Sequence, residues 1–191
     1  MKSNKDNYYI QKIKKGDVGA YACLVDRHKK MAFNIAMQII GNREDAEEIT
    51  QDAFLKAYQA LDSYKGESKF STWLYRIIYN ASISKMRKKK LDQVSIDEDY
   101  NASVNVKSTQ SALQALTNEE QKLYINKALN IMSGDEKTII HLFYLEENSI
   151  DEVCKITGLS VANVKVKLHR SRKKLYDILE QLLQEELKTI L

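Results

Sequence analysis

A chain of 191 residues with no proline and only 6 glycines contains almost nothing that must break a helix. Long helices are therefore the expected regular structure. The apolar residues agree, since they recur at the helical period rather than alternating. The stretch from Asp45 to Arg87 shows this best. Ile49, Ala53, Ala57 and Leu61 recur every four residues, and Ala46, Phe54 and Tyr58 widen them into a stripe that one buried face would require. The other face is acidic and polar, with Glu47, Glu48, Gln51 and Asp52 in the first turns, where carboxylates suit the positive end of the helix dipole. Helix stability and solubility are enough to account for such a face.

The run Ser63-Tyr64-Lys65-Gly66-Glu67-Ser68 should end that helix: Gly66 gives backbone freedom, and the serines compete for backbone hydrogen bonds. Ser68 is the expected cap of the next helix. That helix carries Phe70, Trp73, Leu74, Ile77, Ile78 and Ala81 at core spacing, with Tyr75, Arg76, Tyr79 and Asn80 off the stripe. Lys85, Arg87, Lys88, Lys89 and Lys90 close it with one sign of charge. Cations beside flat aromatic groups suit a single-stranded nucleic acid, whose phosphates need charge and whose unstacked bases need apolar faces. Aromatic residues at helical spacing also make ordinary cores, and both readings stand for Phe70 and Trp73.

A hydrophobic share of 43% with 29% charged residues is that of a globular protein, and the length admits one ordinary domain or two small ones. Net charge is only +4, so its distribution says more than its sum. Basic residues gather at Lys85–Lys90 and Lys165–Lys174, and acidic ones at Glu44–Asp52 and Asp92–Asp99, which suggests more than one kind of partner surface. Cys23 and Cys154 form no CxxC pair, so neither a disulfide framework nor a zinc site is expected. His28, His141 and His169 are scattered and read as surface or packing residues. No apolar run is long enough for a membrane span, and Met1–Gln11 lacks a signal-peptide core, so a cytoplasmic protein without membrane insertion is expected.

In chain order, a short helix is expected over Asp6–Lys15, and Asp17 should cap a longer one reaching about Ile40. Its apolar positions include Val18, Tyr21, Leu24, Val25, Met31, Ile35 and Ile39, with a charged break at Asp26–Lys30. Residues 1–90 thus make a helical N-terminal domain. From Leu91 the pattern dissolves into Ser, Asn, Asp and Gln, and 91–116 reads as a flexible linker, although Ile96, Tyr100, Val104 and Val106 could lie in a partner's groove. Residues 117–191 make a second helical domain, with Leu123, Ile125, Ala128, Leu129 and Met132 as the apolar set of its first helix. Ser133-Gly134-Asp135 is a break and a new cap, and Glu136–Leu145 reads as a short apolar helix.

The segment from Ser149 carries a second motif. Ser149 caps a short helix with Ile150, Val153, Cys154 and Ile156 inward, Gly158 turns the chain, Leu159 packs beneath, and Ser160 caps a long helix. Val161, Val164, Leu168, Leu175, Leu179 and Leu182 fall on one side of that helix. Short helix, glycine turn and capped second helix make a helix-turn-helix. No acidic residue occurs from Ser160 to Tyr176, and the open face carries Lys165, Lys167, His169, Arg170, Arg172, Lys173 and Lys174. Such a helix can lie in a major groove, with its first turns at base edges and its later cations on phosphates. A solvated basic face is the plainer alternative.

Taken together, DAEEITQDAFLKAY, then FSTWLYRIIYN, a polar stretch, and SIDEVCKITGLSVANVKVKLHRSRKKL resemble a bacterial RNA polymerase sigma factor of the extracytoplasmic-function (ECF) group. The resemblance spans nearly the whole chain. It implies an all-α fold of two small domains, the second a helix-turn-helix, and a promoter-recognition role without catalysis or cofactor. It implies core polymerase docking by Glu47, Glu48, Gln51 and Asp52. It implies capture of a flipped minus-ten base by the turn Ser63–Lys69, including Tyr64, Lys65, Ser68 and Lys69. A wedge at Trp73 and Leu74 and a path for the non-template strand along Tyr75, Arg76, Tyr79, Asn80 and Arg87 follow from the same likeness. Lys165, Val166, Lys167, His169, Arg170, Arg172 and Lys173 match the helix that reads the minus-thirty-five element in duplex promoter DNA. Val166 stands where many members carry a small polar residue. The implied partners are core RNA polymerase, promoter DNA as duplex and single strand, and an anti-sigma factor, with the free protein a monomer.

Two other classes stay open on the residues alone. A helix-turn-helix repressor or activator acting without core polymerase would explain the C-terminal motif and leave Asp45–Arg87 without a purpose. A helical adaptor would explain the acidic face but not the basic helix.

Overall fold

The computed structural model describes residues 2–91 and 117–190, with side chains from 5 to 88 and from 117 to 184. All regular structure among them is helical: α1 (Lys2–Lys14), α2 (Ala20–Ile40), α3 (Arg43–Gln59), α4 (Phe70–Leu91), α5 (Asn118–Ile131), α6 (Gly134–Ile140), α7 (Ile150–Thr157) and α8 (Val161–Ile190). The expected linker over 92–116 lies outside the described residues.

Local chemistry sets most of the boundaries. Asp17 Oδ1 accepts the Ala20 N–H at 3.2 Å, so it serves the start of α2 although Gly19 occupies the cap position. Asn42 caps α3 by accepting the Asp45 N–H at 3.0 Å. Thr117 with Glu120, and Ser133 with Glu136, close capping boxes on α5 and α6. Burial alone would raise the Glu136 carboxyl, but hydrogen bonds from Lys174 and Ser133 outweigh it and hold the group below the usual carboxylate range. Ser68 does not take its expected place as a cap: its hydroxyl faces the Lys69 carbonyl at 3.4 Å.

The N-terminal domain is a helical cluster in which α2, α3 and α4 pack on one another and α1 closes one side. Its core is the stripe read from the sequence, with Ala46, Ile49, Ala53 and Ala57 of α3 against Leu24, Ile35 and Ile39 of α2 and Phe70 and Ile78 of α4. The helix runs unbroken through the charged stretch Asp26–Lys30, of which only His28 is buried. Arg27 donates to Asp6 at 2.8 Å and His28 lies 3.1 Å from the same carboxylate, which buries α1's one acid against α2. Periodicity could not show this, because the partner lies more than 20 positions away.

In the C-terminal domain α5, α6 and α8 enclose Tyr124, Ala128, Leu129, Met132, Ile140, Ile178, Leu179 and Leu183. Leu123 and Ile125, expected inside, are exposed, and Tyr124 takes the inner position because it lies four residues before Ala128 on the stripe. Val18 is exposed because it lies in the turn before α2, and Val161 because it opens α8 with no earlier turn to cover it. The apolar run after Lys137 leaves the α period at His141–Leu145, a π turn that puts Leu142 inside and Tyr144 outside.

His141 is buried with no hydrogen-bond partner on either ring nitrogen, and Glu146 Oε1 is 3.6 Å away, too long for one. Burial pushes its pKa below the ordinary histidine value. The unfolded chain, titrating near 6.5, therefore takes up this proton first as pH falls. Stability contributed by neutral His141 is full above about pH 7 and declines as pH falls below about 6.5. Urea unfolding of wild type and His141→Gln across that range should show a steeper loss in wild type; equal slopes would remove the assignment.

Candidate nucleic-acid interface

The helix-turn-helix forms as its residues require. Ser149 accepts the Glu152 N–H at 3.2 Å, and the Glu152 carboxylate accepts the Ser149 N–H at 3.0 Å. Gly158 follows α7 at φ +75°, a left-handed conformation that glycine adopts without side-chain strain. Ser160 Oγ then accepts the Asn163 N–H at 3.3 Å and opens α8. Ser160→Ala removes this cap and should lower stability by roughly 0.5–2 kcal/mol in thermal unfolding, with no change expected for an uncapped start.

Along α8, Val164, Leu168 and Ser171 point inward, while Lys165, Val166, His169, Arg170, Arg172 and Lys173 are exposed and Lys167 is half-exposed. Two cations are held from the side by α6 and its turn: Lys174 contacts Glu136 at 3.0 Å, and Lys167 lies 3.9 Å from Asp135. Arg172 reaches the Tyr144 hydroxyl at 3.4 Å. The face is a continuous basic surface, and the one acid of the helix's first five turns, Asp177, is buried.

A second basic and aromatic surface lies at the start of α4. Tyr64, Phe70 and Trp73 form a ring cluster, with centroids 5.3 Å apart for Tyr64–Trp73 and 5.9 Å for an edge-on Tyr64–Phe70 pair. The Tyr64 hydroxyl donates to the Ser68 carbonyl, and Lys14 donates to the Tyr64 carbonyl at 3.2 Å, so the loop is held at both ends. Between loop and helix is a recess of about 400 Å³ lined by Lys65, Gly66, Ser68, Trp73, Arg76 and, from α7, Lys155. Lys155 could not be read from the sequence, since it comes from the other domain. Lys69 is exposed beside the recess and paired with Glu152 at 2.7 Å.

Beyond the recess, Arg76, Asn80 and Arg87 are exposed along one side of α4. Leu74, Tyr75 and Tyr79 are not. Leu74 is fully enclosed, and the two tyrosines are buried at 7% and 9% exposure. Burial raises the Tyr75 phenol, with Glu146 and Asp6 adding to it, and pushes Tyr79 up to about 12, with Asp135 adding and Arg87 opposing. Tyr75 lies edge-on to His28 of α2, with ring centroids 6.4 Å apart, and both tyrosines belong to the buried cluster that the two domains share.

On α3, Glu47, Glu48, Gln51 and Asp52 are all exposed. Arg43 pairs with Glu47 at 2.8 Å, and Lys85 bridges Glu48 at 2.7 Å and Asp45 at 2.8 Å, bonds that raise the lysine's pKa. Glu47 and Gln51 also edge a shallow groove of about 360 Å³ whose other wall is Lys29, Lys30 and Phe33 of α2. The sequence places those three on a helix but gives no sign that they face α3.

The described helices thus make one class of protein: a two-domain helical DNA-binding chain with a recognition helix at one end and a basic, aromatic recess at the other. Residues 24–91 match the family model Sigma-70 region 2, and residues 122–175 match Sigma-70, region 4. The chain is 33% identical over 179 residues to the ECF RNA polymerase sigma factor SigW of Bacillus subtilis, covering 87% of this chain and 92% of that one. It is 29% identical over 174 residues to the ECF RNA polymerase sigma-E factor of Escherichia coli K12, covering 87% and 90%. In fold it is similar to CnrH, solved with the cytosolic domain of CnrY (TM-score 0.60, 23% identity, 92% and 97% covered). The sigma factor RpoE of Bartonella quintana, solved with the anti-sigma factor NepR, is similar too (TM-score 0.63, 24% identity, 85% and 98% covered). The chain belongs to the ECF group of RNA polymerase sigma factors, initiation factors that work with RNA polymerase and are not themselves enzymes. No described helix is long and apolar enough to cross a membrane.

Proposed function

We propose that residues 1–90 dock on core RNA polymerase and open the minus-ten element, that residues 117–191 read the minus-thirty-five element, and that 91–116 tether the two. Docking uses the exposed face Glu47, Glu48, Gln51 and Asp52. The upstream duplex is read by Lys165, Val166 and Lys167 at base edges, with His169, Arg170, Arg172 and Lys173 further along. One observation carries this reading over a simple duplex-binding regulator: the same chain has both a basic recognition helix and an aromatic, cation-rimmed recess. A repressor needs only the first.

Extruding a base costs a few kcal/mol of stacking and pairing. A stacking surface returns roughly 1–3 kcal/mol per base, and phosphate contacts add to it. Half-exposed Trp73 is placed to stack or wedge, Lys65 and Lys69 flank the loop, and Arg76, Asn80 and Arg87 continue along the strand's path. Polymerase performs the bond chemistry, and the sigma chain contributes binding without a catalytic group. Because two relatives of this fold were solved with CnrY and with an anti-sigma factor, sequestration by an anti-sigma factor in the cytoplasm, of a protein otherwise monomeric, completes the reading.

Run-off transcription with bacterial core polymerase on a promoter library tests it. Wild type should start transcripts at discrete sites. Arg170→Ala should lose only the dependence on the upstream element, by roughly 1–3 kcal/mol in discrimination for a base contact, or show a lower salt slope for a phosphate contact. Duplex protection without any specific start on polymerase would favour the regulator instead.

A further inference from the structure

The first two turns of α8 hold apolar side chains that its core does not use. Val164, Leu168 and Ser171 define the buried side of the helix, and at about 100° per residue Val166 falls almost opposite their mean direction. Val166 is 48% exposed, and Ala162, one turn earlier on the same line, is exposed as well. Lys165, His169, Arg170 and Lys173 surround the pair. The centre of a basic face is thus a short strip of methyl groups. Helix formation does not call for valine here, since a β-branched side chain loses χ1 freedom in a helix and lysine or arginine would serve an exposed position better.

The major groove limits what such a strip can read. Every base pair shows hydrogen-bond donors or acceptors there, and among the four bases thymine alone adds an apolar group, its 5-methyl. Valine and alanine side chains can neither donate nor accept. Against a guanine or adenine edge, Val166 would strip water from acceptors and return no bond, which is unfavourable. Against thymine it buries methyl on methyl. The cations around it supply the phosphate contacts that hold the helix in register.

We propose that Val166, backed by Ala162, is a specificity residue that selects thymine at one position of the duplex read by α8, through contact with the 5-methyl group. This selection rests on α8 acting as the duplex reader proposed above, and it adds the base and the atom that are read.

The test uses the full chain, alone and assembled with bacterial core polymerase, to select duplexes from a randomised pool. Thymine should be enriched at one position of the upstream element. Replacing that thymine by uracil removes only the methyl, and binding should weaken about fourfold, the worth of one buried methyl group. Val166→Ser should bind the thymine and uracil duplexes equally and lose the enrichment at that position alone. Its thermal unfolding should match wild type, because the side chain lies outside the core. Equal binding of the two duplexes by wild type, or a thymine preference kept in Val166→Ser, overturns the assignment. So does a position altered by Val166→Ser at which wild type enriches another base. If only the chain without polymerase selects a duplex, the polymerase-dependent reading falls, while the uracil comparison on that duplex still decides the role of Val166. If neither form selects a duplex, the reader and the residue's role fall together.

Discussion

With core polymerase supplied at a level where wild type is active, Asp52→Lys is expected to give no promoter-specific transcripts from any template. Of the three carboxylates proposed to dock, Glu47 is already paired with Arg43 and Glu48 with Lys85. Asp52 makes no ion pair among the described residues, so of these three it is the most available to a cation on polymerase. Truncating one partner of a desolvated charge pair costs about 2–5 kcal/mol, and reversal adds repulsion. Affinity for core should therefore fall at least ~30-fold. An exposed substitution of this kind changes folding stability by only about ±0.5 kcal/mol. Thermal unfolding and duplex binding by α8 serve as controls and should match wild type. Co-migration with core polymerase on native gels reports the loss directly, and wild-type transcript levels from the variant would rule out docking by this face.

The second large effect concerns Leu74. Its family position implies a wedge at the edge of the opening duplex, but the structure encloses it completely beside Phe70 and Ile78. A buried leucine truncated to alanine loses transfer free energy and leaves a cavity, typically 2–5 kcal/mol in all. Against a total stability of about 5–15 kcal/mol that is a large fraction. Leu74→Ala should therefore lower the urea midpoint markedly, whereas Trp73→Ala, at the half-exposed position, should act mainly on promoter opening. A loss below ~1 kcal/mol for Leu74→Ala would return that residue to the surface and to the wedge.

Much of the second motif could be read in advance. Ser149, Gly158 and Ser160 perform the capping and turning that their types suggest, and the basic residues of α8 are outside because Val164 and Leu168, four apart, must be inside. The acidic face of α3 follows from its apolar stripe in the same way. At the recess the reading was partial. Trp73, Lys65 and Arg76 gather there, but Tyr75 and Tyr79, off the main stripe and so assigned to the strand, are buried. A period identifies one buried face; it does not say how far round the helix that burial extends.

That contrast follows from the range of the forces. Helix boundaries, caps and the sidedness of each helix rest on contacts between residues one to four positions apart, and these are written in the order of the residues themselves. The Arg27–Asp6 pair, the seat of Gly134 on Ile39, the Lys69–Glu152 contact and the presence of Lys155 in the recess join positions from about 20 to more than 90 apart. Local periodicity carries no term for such pairs. The chain alone therefore determined that there would be helices, where the capped ones would start, and which faces would be basic or acidic. Only the tertiary packing decided which of those faces meets solvent and which meets the other half of the protein.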